Sequence, residues 1–184
     1  MRTRKPRGDR TTALALICTA LWFLWVAPAD ADPAPAAKAA APAIAVLDFE
    51  LNDLTLLPGT PEELARTASL RPLVEQGLKA QGSDQLVSID AAALAQANVG
   101  VGYLYDHPEA AAALGRTQGA DLVLVGRLHK PSFLFAYLMA RLVDSRTGMV
   151  VRDLVVEAKG QTGPATARAA ARLAEQVRET LARH

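Results

Sequence analysis

Apolar residues gather in short runs along this chain, and the spacing inside each run decides the element it predicts. Ile44, Val46, Leu47 and Phe49 fall between Pro42 and the polar pair Asn52-Asp53, the pattern of a buried strand over 43–49. Leu57-Pro58-Gly59-Thr60-Pro61 is a loop, and Thr60 with Glu63 three residues on reads as a capping box for a helix starting at Pro61. Leu70, Leu73, Val74 and Leu78 continue at helical spacing, but Pro72 interrupts them. The interruption predicts a kink near Ser69, with Ser69 as a new N-cap and the proline in a first turn, where its missing N–H costs least.

Leu86 to Ile89 predicts a second short strand, Asp90 caps a short Ala-rich helix through Ala97, and the Gly-rich link 99–105 leads to another Ala-rich helix, Pro108 to Thr117. Three β-rich runs follow: Leu122–Leu128, Phe133–Val143 and Met149–Glu157. Pro131-Ser132 joins the first two, and Asp144-Ser145-Arg146-Thr147-Gly148 joins the last two as a tight turn with Gly148 in the left-handed position. A final helix, Pro164 to Ala182, carries the stripe Ala169, Leu173, Val177 and Leu181 opposite the charged Arg168, Arg172, Glu175, Glu179 and Arg183. The order β-α-β-α-α-β-β-β-α predicts an α/β domain, a mixed sheet of about five strands with a C-terminal antiparallel meander and helices packed on it.

The chain's beginning changes the picture of its charge. Arg2, Arg4, Lys5, Arg7 and Arg10 precede an apolar run from Thr11 to Ala27, and Ala29-Asp30-Ala31 offers small residues where a signal peptidase reads. Residues 1–31 are therefore expected to be a Sec-type signal peptide cleaved after Ala31, placing the product in the periplasm with no membrane span. The alternative is an uncleaved segment holding the chain at the inner membrane. Cys18, the single cysteine, lies inside this segment, and Ala15 and Ile17 fit the usual lipobox poorly. The mature chain then has no thiol, which excludes cysteine-based metal sites and thiol catalysis. Removing five basic and two acidic residues leaves fifteen against seventeen, so no basic face for nucleic acid remains. Residues 32–42 read as an Ala/Pro-rich linker, and 43–184 as a single α/β domain.

The candidate chemistry is thin. In AIAVLDFELND, strict alternation would place Ile44, Val46, Asp48 and Glu50 on one face of the strand and Ala45, Leu47, Phe49 and Leu51 on the other. Asp48 and Glu50 would then sit together at a strand end with Asp53 in the next loop, a carboxylate group able to hold a cation. The plainer reading is a strand emerging into solvent. His107, beside Asp106 and two tyrosines, is either a ligand or base or simply the entrance to the helix at Pro108. His129 reads as a turn residue. Phe133, Phe135, Tyr137 and Met139 line one face of a strand whose other face, Leu134 to Leu142, is also apolar; the aromatic face is either covered by a helix or left as a partner surface. No nucleophile elbow, phosphate loop, HExxH or dinucleotide fingerprint occurs, and nothing calls for a cofactor or a metal.

Three segments carry a resemblance. IAVLDFE behind a secretion signal, followed by GADLVLVGRL and ARLVDSRTGMVVRD, resembles the small α/β domain of bacterial envelope proteins of the TolB amino-terminal and CsgG-like type. From Ile44 to about Gly160 the chain is similar, more closely, to an uncharacterised bacterial family of predicted secreted proteins, a domain of unknown function. The resemblance implies a periplasmic, non-enzymatic module. Members of that family often carry a cysteine pair where this chain has GYLYDHPE, Gly102 to Glu109. The leading expectation is an interaction or envelope-assembly accessory protein with an envelope protein as partner. The alternative is a small-ligand or metal-binding protein using Asp48, Glu50 and Asp53, with His107 if the fold brings it near. A hydrolase centred on Asp106 and His107 is the third reading.

Overall fold

The computed structural model describes residues 41–83 and 85–183. The expected signal segment and most of the linker lie outside them. The sheet is built from β1 (Ile44–Val46), β2 (Glu50–Asp53), β3 (Leu86–Val87), β4 (Leu122–Lys130), β5 (Phe135–Asp144) and β6 (Val150–Lys159). Its order is β3-β1-β4-β5-β6, with β2 also on β4. β1 runs parallel to β3 and β4, β2 runs parallel to β4, and β4-β5-β6 form the expected antiparallel meander. The helices are α1 (Pro61–Ala68), α2 (Leu70–Ala80), α3 (Ala91–Ala97), α4 (Tyr103–Asp106), α5 (Pro108–Thr117) and α6 (Gly163–Leu181). The α/β class and the meander match the sequence expectation. The one-turn α4 forms inside the stretch read as a Gly-rich link.

The expected first strand is two strands, and the reason lies across the ladder. Val46 pairs with Leu124 and Glu50 with Arg127, so four steps along β1-β2 match three along β4. One residue too many makes a bulge, which turns every later side chain to the opposite face. Gly126 sits opposite the bulge. A Cβ there would lie 2.3 Å from the Phe49 ring, so the missing side chain is what lets Phe49 lie flat across β4.

Alternate residues of the sheet serve two cores. On one face Val46, Phe49, Leu124, Leu128, Leu138, Leu142, Leu154 and Val156 meet Leu70, Val74 and Leu78 of α2 and Leu173 and Val177 of α6. Gly77 lets these two helices touch, since a Cβ there would meet that of Ala174 at 2.8 Å. On the other face Ala45, Leu47, Val123 and Val125 meet Leu104, Tyr105, Ala111 and Leu114 of α4 and α5. The break between α1 and α2 falls at Ser69 as expected, but Ser69 caps nothing: its hydroxyl donates back to the Arg66 carbonyl at 2.7 Å. Among the described residues no helix is long and apolar enough to cross a membrane.

Candidate functional site

The parallel strands β2 and β4 end together at the pair Asp53 and Lys130, and a buried ionic group is assembled there. Lys130 continues the inward-facing series of Leu124, Gly126 and Leu128, so the register of β4 forces its chain into the core. Its Nζ donates to Glu63 Oε1 at 3.0 Å and lies 3.5 Å from Asp53 Oδ2. Glu63 Oε2 is 3.5 Å from Arg66, whose Nε donates to Thr166 Oγ1 at 3.0 Å and whose Nη2 donates to the Gly160 carbonyl at 3.2 Å. All four charged side chains are buried. Two carboxylates and two cations cancel, and each charge has a partner, the condition for burying charge at tolerable cost. The group ties together β2, β4, α1, α6 and the turn after β6. Burial pushes the Asp53 carboxyl up, but hydrogen bonding from Thr55, whose N–H donates to Oδ1 at 3.0 Å, and the Lys130 charge outweigh it and hold the group below its ordinary value.

Two loops project beyond this group. Leu54, Leu56 and Leu57 after β2, and Phe133 and Leu134 between β4 and β5, are all exposed. The Leu54 N–H donates to the Lys130 carbonyl at 3.0 Å, and Lys130 Nζ sits 5.5 Å from the centre of the Phe133 ring, so the loops are neighbours. Ser132 Oγ accepts from the N–H groups of Leu134 and Phe135, and Gln161 Nε2 donates to the Phe133 carbonyl. Phe133 and Leu134, read as strand residues from their apolar character, belong to this loop.

The outer face of the meander is covered at one end only. There Tyr105 is held between two guanidinium groups, with the Cζ of Arg127 3.9 Å and that of Arg141 4.5 Å from its ring centre. Arg141 also donates to the Tyr105 carbonyl and to Asp153. Met139 reaches the Tyr105 cluster, but Tyr137 is only half-buried and Phe135 is exposed, as is Val155 opposite Met139 on β6. His129 is a residue of β4, its Nδ1 3.2 Å from Asn52 Nδ2, rather than part of a turn.

The expected carboxylate site is dispersed. The bulge parts Asp48 from Glu50. Asp48 turns out to Arg71 of α2 at 3.3 Å, while Glu50, on the opposite side, accepts from Asn98 Nδ2 at 3.0 Å and from the Gly102 N–H. Phe49 correspondingly lies with Val46 and not, as alternation predicted, with Ala45 and Leu47. Asp53 is engaged with Lys130. His107 stacks on Tyr103 at 4.4 Å and meets Glu109 at 3.0 Å, at the entrance to α5. Among the described residues no three His, Cys, Asp or Glu side chains gather as a metal set. Sequence reasoning missed Glu63, Arg66 and Lys130. The signal was present, because Glu63, Arg66 and Thr67 precede Leu70 and Val74 at the same helical spacing and so share the inward face. Reading Glu63 as half of a capping box hid it. Thr60 Oγ1 does accept from the Glu63 N–H, but the Glu63 carboxylate has gone to Lys130.

Residues 42–177 match the family described as "Protein of unknown function (DUF2380)", and the chain belongs to that family. No curated protein sequence matches it. The hypothetical protein CT253 from Chlamydia trachomatis is similar in structure, with a TM-score of 0.50 at 16% identity over 78% of this chain and 99% of that one. More distant likenesses are to a PelC dodecamer from Paraburkholderia phytofirmans (TM-score 0.47, 19% identity, 77% and 87% covered) and to LpoB from E. coli (0.47, 18%, 62% and 54%). The match thus spans about half of that LpoB chain. At such identities what is shared is a fold.

Proposed function

We propose that this chain is a non-enzymatic accessory module of the cell envelope, that it reaches the periplasm by the signal segment 1–31, and that it works through a surface. The finer kinship to TolB amino-terminal and CsgG-like domains belongs to the same reading. The surface is the uncovered part of the outer meander face, Phe135, Tyr137 and the rim of Met139 on β5 with Val155 on β6. The observation that carries the reading is the unequal cover of one sheet. Toward α2 and α6 the apolar side chains at the middle of β4, β5 and β6 are buried, whereas on the other face the same strands leave Phe135 and Val155 about half exposed and Tyr137 half-buried. Isolated exposed apolar residues need no explanation, but Val155 lies opposite Met139 and diagonal to Tyr137, and with Phe135 they make a small apolar patch bordered by Glu157 opposite Tyr137 and Lys159 opposite Phe135. Arg127, Arg141 and Asp153 at its border supply a polar rim.

The test is photo-crosslinking in cells from an aryl-ketone residue placed at Tyr137 or Val155, with Glu175 on the solvent face of α6 as control. A discrete adduct to an envelope protein from the first two positions and none from the third is expected. A smear indistinguishable from the control, with substrate turnover by the pure protein, would sink the reading.

A further inference from the structure

Beyond that surface lies a second apolar region, and its chemistry is different. The loops 54–59, LTLLPG, and 131–134, PSFL, contain no charged residue. Leu56 is 92% and Leu134 77% exposed, and Leu54, Leu57 and Phe133 are each more than half exposed. The charges at the roots of the loops, Asp53 and Lys130, are buried and neutralised within the ionic group. The result is a projecting tip rather than a groove, carried on two loops tied to each other through Leu54 and Lys130.

A basic flank adjoins it. Gln161 ties the turn after β6 to the Phe133 carbonyl, and Arg66 ties the same turn to the ionic group through Gly160. From there Lys159, Arg168 and Arg172 line an open cavity of about 350 Å³ between β6 and the first turns of α6. Arg172 donates to the Glu157 carbonyl, and the Glu157 carboxylate lies 4.0 Å from Lys159, so Arg168 is the cation of the three with no partner among the described residues.

We infer that this tip inserts into the interface of an anionic phospholipid bilayer, with Leu54, Leu56, Leu57, Phe133 and Leu134 at the acyl boundary and Lys159, Arg168 and Arg172 at the lipid phosphates. Apolar side chains entering the headgroup boundary while cations meet anionic lipid is the arrangement of interfacial binding, and neither half suffices alone. A projection also suits a fluid surface, which closes around it, whereas a protein partner would need a matching hollow. The buried ionic group keeps the two loops side by side while they are uncharged, so the tip costs no desolvation of ions on entry.

Because the apolar run 11–27 would itself bind lipid, the test reads which part of the domain enters the bilayer. Nitroxide labels are attached to the full chain through Leu56→Cys, Leu134→Cys or, at the opposite end of the domain, Met149→Cys, each in a Cys18→Ser background. Vesicles are phosphatidylcholine with or without phosphatidylglycerol. Collision with a water-soluble nickel chelate should fall on the order of tenfold at 56 and 134 with phosphatidylglycerol present, and stay unchanged at 149. Adding Lys159→Glu and Arg168→Glu, both at exposed positions, should weaken the effect at least about tenfold. Equal accessibility at all three labels, or insertion indifferent to phosphatidylglycerol, would overturn the inference. So would shielding of 56 and 134 by envelope proteins without vesicles, which would make the tip a second protein site. None of these outcomes bears on crosslinking from Tyr137 and Val155.

Discussion

The two faces of this sheet are made by alternate residues of the same strands, yet they are built to different ends. Toward α2 and α6 the sheet presents Leu, Val, Phe and Ala side chains that are buried against Leu70, Leu78, Leu173 and the alanines of α6. On the other face α3, α4 and α5 cover β1 and the first half of β4 with Leu104, Tyr105, Leu114 and several alanines, and stop; β5 and β6 continue beyond them with Phe135 and Val155 exposed and Tyr137 half-buried. The first face is core across β4, β5 and β6, whereas the second is core over β1 and β4 only, and its uncovered part is free to hold residues that serve something else. Mutations that behave alike on both faces would break this distinction.

The largest effect is expected from Phe49→Ala. Its ring fills the gap over Gly126 between Val46 and Leu128, and truncation leaves a cavity that the flat backbone cannot collapse into. The loss should be about 3–5 kcal/mol by denaturant unfolding. Lys130→Met should cost a comparable 3–5 kcal/mol at pH 7, because it leaves Asp53 and Glu63 buried without their cation. The two are told apart by pH. An unpaired buried carboxylate prefers its neutral form, so the Lys130→Met deficit should shrink as pH falls and both acids protonate, while the Phe49→Ala deficit stays constant. A pH-independent Lys130→Met deficit would mean that Lys130 contributes only packing.

Much of the covered face was legible from sequence, and the reasons differ by element. The stripe of α6, the strands β4 to β6 and the break at Ser69 follow from periodicity and a proline, which are local properties. The bulge at Leu47 to Phe49 is not local: it swings the Phe49 ring over Gly126, some eighty residues on, where a side chain would leave it no room. Alternation counted without it puts Phe49 on the wrong face and Asp48 beside Glu50, and the expected carboxylate site disappears with that miscount. The ionic group was hidden for another reason. Glu63 and Lys130 are the residue types most often found in solvent, and only the register of α1 and β4 turns them inward. The open face was legible as a question but not as an answer, since a chain with apolar residues on both faces of β5 does not say how far its helices extend.

A smaller effect belongs to the turn between β5 and β6, at the end away from the apolar tip. Asp144 Oδ1 accepts from the N–H groups of Arg146 at 2.8 Å and Thr147 at 2.7 Å, and Gly148 takes a φ of 73°. Those bonds, Thr147 first, outweigh burial and hold the Asp144 carboxyl below its ordinary value. A depressed folded-state pKa gives stability that is complete above the unfolded value of about 3.9 and lost as pH falls through the folded one. Asp144→Asn keeps an acceptor for the turn but cannot titrate, so its unfolding free energy should fall less steeply than the wild type's below about pH 4. Asp144→Ala should lose about 1 kcal/mol at pH 7 through the missing hydrogen bonds.

The smallest effect on stability is expected where the largest effect on function is. Val155→Thr changes a side chain that the free chain already leaves in water and should shift unfolding by no more than about 0.5 kcal/mol, while Tyr137→Ser, at a half-buried position, should cost about 1 kcal/mol. Partner capture at the same face should fall sharply, because desolvating aromatic and branched side chains at the centre of a patch is where binding energy concentrates. Leu138→Ala, one residue along β5 from Tyr137 and pointing the other way, supplies the contrast: about 2–5 kcal/mol lost from folding. Its capture should survive in whatever fraction remains folded. If Tyr137→Ser instead unfolds the domain as Leu138→Ala does, then the outer face belongs to the core after all, and the unequal cover of the sheet would have no functional meaning.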